Sequence, residues 1–73
     1  MSKETKIELL LDKYNEKKAE LNKEYDNRMN NRTTNEAGEV SASETLECNM
    51  WFTEEDNKIT KWYIDELKEI FEK

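Results

Sequence analysis

Histidine and proline are absent from this chain of 73 residues, and glycine and cysteine occur once each. Lack of histidine removes the commonest metal ligand and the commonest general base. Cys48, being alone, closes no internal disulfide. Long apolar runs are missing too. Met1 is followed by SKETK, which offers neither a signal peptide nor a membrane span. A lone cysteine without an export signal gives the expectation of a reducing, cytoplasmic setting and no membrane contact.

What is present is charge. With 41% charged residues the composition borders on that of a disordered chain, but seven aromatics and two periodic apolar segments argue for folded helices. A chain this short forms one domain, 1–73, and buries only about 60% of the surface its unfolded form exposes. Small domains compensate with disulfides, a metal or self-association. The first is excluded and the second lacks its commonest ligand, so self-association is expected, and no cofactor.

The charge is unevenly placed. Residues 1–37 hold eight basic and eight acidic side chains, whereas residues 38–73 hold four and ten and carry the whole −6. Between Thr33 and Asn57 there are seven acids and no base. Such a field repels nucleic-acid and membrane phosphates and attracts basic partners. Direct nucleic-acid binding is therefore not expected.

Ile7, Leu10, Leu11, Tyr14, Leu21, Tyr25 and Met29 recur at spacings of three and four, which predicts a helix over about 3–32 with Ser2 as its cap. Lys18 interrupts this stripe, its ammonium reaching an acid or the solvent edge, so Lys18→Leu is expected to stabilise the fold or change its oligomeric state. Lys13–Glu16, Lys17–Glu20 and Lys23–Asp26 can support the exposed face.

A loop is expected near 33–43, around the single glycine. Two starts are open for the second helix. Ser41 with Glu44 forms a capping box and gives a helix of about 44–72, while Thr53 with Asp56 gives one of 53–72. Ile59, Trp62, Tyr63, Ile64, Leu67, Ile70 and Phe71 spread over roughly 200° of that helix. One neighbour cannot cover so wide an arc. The fold expected is thus all-α: an antiparallel helical hairpin that self-associates into a dimer or larger bundle through these residues.

Three groups of side chains are candidate sites. Met50, Trp51 and Phe52 stand together beside Glu47, Glu54, Glu55 and Asp56, the composition of a protein-binding hot spot inside a charged rim. On a continuous helix they point about 100° apart, so at least one must lie near the surface. The alternative is that they seal the oligomer. Arg28 and Arg32, four apart and near Tyr25, could hold an anion such as a nucleotide, or simply complement the dipole at the helix end. The paired carboxylates Glu54-Glu55-Asp56 come without a histidine or Gly-rich phosphate loop, and Cys48 comes without a base. No enzyme is expected.

High Lys, Asn and Glu with little Arg resembles, in composition only, the small accessory proteins of bacteria and their phages. The functional expectation is a protein-interaction module that binds a basic surface of another protein as an inhibitor or adaptor. An oligomeric sponge or sensor for a small anionic ligand and a DNA mimic are the alternatives.

Overall fold

A computed structural model describes residues 2–72. Two helices, α1 (Lys3–Asn30) and α2 (Ala42–Glu72), pack against one another and are joined by residues 31–41. The order of contacts fixes their direction. Tyr25, late in α1, meets Phe52, early in α2, with ring centroids 4.8 Å apart. Tyr14 meets Tyr63 at 4.5 Å, so the chain doubles back on itself as an antiparallel hairpin. Its extents are 58 × 16 × 8 Å.

Ser2 caps α1, its hydroxyl accepting the Thr5 N–H at 3.2 Å. The helix stops at Asn30 rather than running on to Arg32, because Arg32 turns back on the last turn. Its Nε donates to the Met29 carbonyl at 2.7 Å, satisfying an oxygen that the helix leaves open. Its guanidinium also donates to the Thr45 hydroxyl at 2.6 Å, tying the end of α1 to the start of α2.

The connection is an ordered turn. The Asn35 side-chain carbonyl accepts the Ala37 and Glu39 N–H groups at 3.0 and 2.9 Å, a local turn that asparagine supplies readily. Gly38 sits at φ +81°, where a side chain would be strained. An isolated antiparallel bridge joins Thr34 to Val40.

Of the two starts open to α2, the chain uses the earlier. The Ser41 hydroxyl accepts the Glu44 N–H at 3.2 Å, the expected half of a capping box. The reciprocal half is diverted. Ser41 gives its own N–H to the Thr33 carbonyl at 2.9 Å, and the Glu44 carboxylate takes the Thr33 N–H and hydroxyl instead. These bonds hold the Glu44 carboxyl below its ordinary pKa, the Thr33 backbone N–H first among the causes. Thr53 caps nothing: its hydroxyl donates to the Asn49 carbonyl at 2.9 Å, within a continuous helix.

The core between the helices is thin. Leu10 and Leu21 are buried, both on α1, and α2 buries no residue fully among those described. A chain this short buries a limited share of its surface, so apolar burial between two helices offsets the entropy of ordering them only narrowly.

Candidate functional site

Settling α2 as one helix decides where Met50, Trp51 and Phe52 point. Phe52 faces α1 and packs on Tyr25, whose hydroxyl donates to the Asn49 side chain. Trp51 lies on one flank beneath Arg28, the guanidinium carbon 3.9 Å from the ring centroid. Both rings are half-buried. Met50 alone of the three is presented to solvent, beside a shallow depression lined by Asn49, Thr53 and Glu54.

A second tryptophan repeats the pattern of the first. Lys17 places its ammonium 4.9 Å from the Trp62 ring centroid, on the flank that carries Trp51 and Arg28. Lysine and arginine stems cover apolar surface while their heads stay wet, which suits this edge. Lys17 is therefore turned toward α2 and not toward Glu20. Among the described residues the ion pairs along a helix surface are Arg28–Glu24 and Lys58–Glu55, not the three expected along α1.

The opposite flank carries the interruption in the α1 stripe. Lys18 sits half-buried there and its ammonium pairs with Asp56, as its place in the stripe implied. The acids of the base-free stretch have thus separated into two sets. Glu44, Glu55 and Asp56 are engaged within the hairpin. Glu36, Glu39, Glu47 and Glu54 are exposed, toward the closed end of the hairpin.

The two arginines do not converge. Arg28 is shared between Glu24 and the Trp51 face, while Arg32 donates to Met29 and Thr45. Tyr25 is spent on Phe52 and Asn49. An anion at this place would have to displace bonds already made.

The apolar arc of α2 divides in the same way. Ile59, Trp62, Tyr63, Leu67 and Ile70 are half-buried, with Tyr63 and Trp62 meeting α1 as described. Ile64 and Phe71 stay 44% and 62% exposed. Leu46 and Met50 join them at 61% and 60%, two residues that belong to this face only because α2 begins at Ala42. One neighbouring helix covers part of the arc and leaves a long apolar face open.

Among the described residues no helix is long and apolar enough to cross a membrane. Comparison of the chain with models of known families, with curated proteins and with solved structures found no match.

Proposed function

We propose that this chain is a non-enzymatic protein–protein interaction module. Its hairpins associate through the uncovered face of α2, and the assembly presents acids to a basic surface of another protein, which it inhibits or links to something else. The open apolar face carries the reading: four large side chains on one helix stand 44–62% exposed while, among the described residues, the hairpin buries only Leu10 and Leu21. Exposed apolar side chains grouped at both ends of one face, Leu46 with Met50 and Ile64 with Phe71, mark an interaction site in a folded chain. The chemistry of the second partner follows from charge. Glu36 and Glu39 project from the connection, within a stretch that holds no base.

Capture from a cell lysate, with and without salt, tests this. A specific partner should be basic, should be released near 1 M salt, where the Debye length falls to about 3 Å, and should be lost with Glu36→Lys and Glu39→Lys together. Capture indifferent to both, or of acidic proteins only, contradicts the reading.

A further inference from the structure

The open face of α2 has a repeat. Leu46, Met50 and Thr53 are followed by Asn57, Thr60 and Ile64, then Leu67 and Phe71, with spacings that alternate between four and three throughout. That is a heptad seam, the pattern that lets two helices wind round each other. At 100° per residue the seam turns by about 20° per heptad, the drift that a left-handed supercoil takes up. It is not the seam that faces α1. Phe52, Ile59 and Tyr63 lie on that one, whereas all the new positions are exposed except Thr60 and Leu67, which are half-buried at its edge.

The residues bordering this seam on its outer side complete the case. They are Glu47, Glu54, Lys61 and Lys68, seven apart, acidic in the first half of α2 and basic in the second. All four are exposed, and among the described residues no hydrogen bond or ion pair within the hairpin engages them. Resting on the reading that hairpins self-associate, we propose that two copies pair through this seam with their α2 helices antiparallel.

The antiparallel arrangement sets like border positions against each other end to end. Glu47 then meets the partner's Lys68 and Glu54 meets the partner's Lys61, and two-fold symmetry makes each pair twice. Within the seam, Leu46 meets the partner's Phe71 and Met50 the partner's Leu67. Asn57 meets the partner's Thr60 at the centre. Leucine, methionine and phenylalanine meet one another at both ends and Asn57 meets a threonine at the centre, with Thr53 against the partner's Ile64 between them; a misplaced Asn57 would bury its amide against hydrocarbon. A parallel pair in register also sets like against like within the seam, but it loses the border match. It sets the outer border against the inner one, where Asn49, Asp56 and Tyr63 stand, and the only acid of those is already held by Lys18. Border charges set orientation in coiled coils, and Asn57 sets register.

Two measurements test the pairing. Lys61→Glu with Lys68→Glu makes all four border residues acidic and should weaken association at least tenfold, on the order of 1.4 kcal/mol or more. Adding Glu47→Lys and Glu54→Lys reverses every pair and should restore it. Polarity is read by disulfide formation in a Cys48→Ser background, because bridged Cα atoms must approach within about 7 Å. Leu46→Cys and Phe71→Cys chains should cross-link when mixed and not when alone. Cross-linking of each chain with its own kind overturns the antiparallel proposal while leaving self-association intact. Association unchanged by the charge reversals overturns the use of this seam. A wild-type chain that stays monomeric removes the underlying reading itself.

Discussion

Lys18 of α1 reaches across the hairpin to Asp56 of α2, and the two charges pair with side chains 28% and 31% exposed. The acid's Oδ1 is shut off from solvent and accepts no other hydrogen bond, so Lys18 is its compensation.

Removing the cation alone therefore costs stability. Lys18→Leu, expected from the stripe alone to stabilise the fold or change its oligomeric state, should instead destabilise by about 1 kcal/mol in urea melts, since it strands a carboxylate oxygen. Adding Asp56→Leu should return stability to the wild-type level or above. A stabilising single substitution would show that Asp56 finds water when Lys18 leaves.

Met50 and Trp51, adjacent in sequence, should respond oppositely. Trp51→Ala removes a half-buried ring and its contact with Arg28 and should lower the melting stability by about 1–3 kcal/mol. Met50→Ala truncates an exposed side chain and should weaken association, lowering the melt only through it, so that higher protein concentration recovers the loss. Circular dichroism melts beside sedimentation of both variants separate these effects.

How much of this was legible in the sequence differs from place to place. The stripe of α1 was plain in Leu10 and Leu21, which obey the helical period that buries them, but Leu11 of the same stripe stays 43% exposed. The arc of α2 was visible in its second half. Its first half was hidden by the choice between Ser41 and Thr53 as a start, since both offer a hydroxyl followed by an acid. With Thr53 as the start, Leu46 and Met50 fall outside the helix and the long seam disappears. The diverted half of the capping box was not legible at all. Glu44 meets Thr33 across the connection, and only the folded turn brings them together.

That contact gives a pH dependence. The Glu44 carboxyl is held low chiefly by the Thr33 backbone N–H and then by the Thr33 hydroxyl; desolvation opposes them, and Arg32 adds a lesser lowering. A depressed carboxyl contributes stability that is full above its ordinary value of 4.5 and is lost as pH falls through the lower folded value. Glu44→Gln should be less stable than wild type at neutral pH, and the two melting curves should converge in acid below that range. A gap that persists or widens in acid would place the effect elsewhere.

Ile64→Asp sets a charge in the open seam, where the hairpin itself leaves the side chain 44% exposed. Because one hairpin has so little core, loss of assembly and loss of helix should occur together, with a melting point that rises with concentration in the wild type. A variant that dissociates yet keeps a sharp, concentration-independent melt would show that the hairpin is stable alone.

Sedimentation equilibrium of the wild-type protein at micromolar concentration is the most direct test of the central claim, that the outer face of α2 is an interface between chains. The account predicts a mass of at least twice the 8.8 kDa of one chain, reduced by Ile64→Asp. A folded wild-type monomer of 8.8 kDa, with Leu46, Met50, Ile64 and Phe71 left in water, would contradict it.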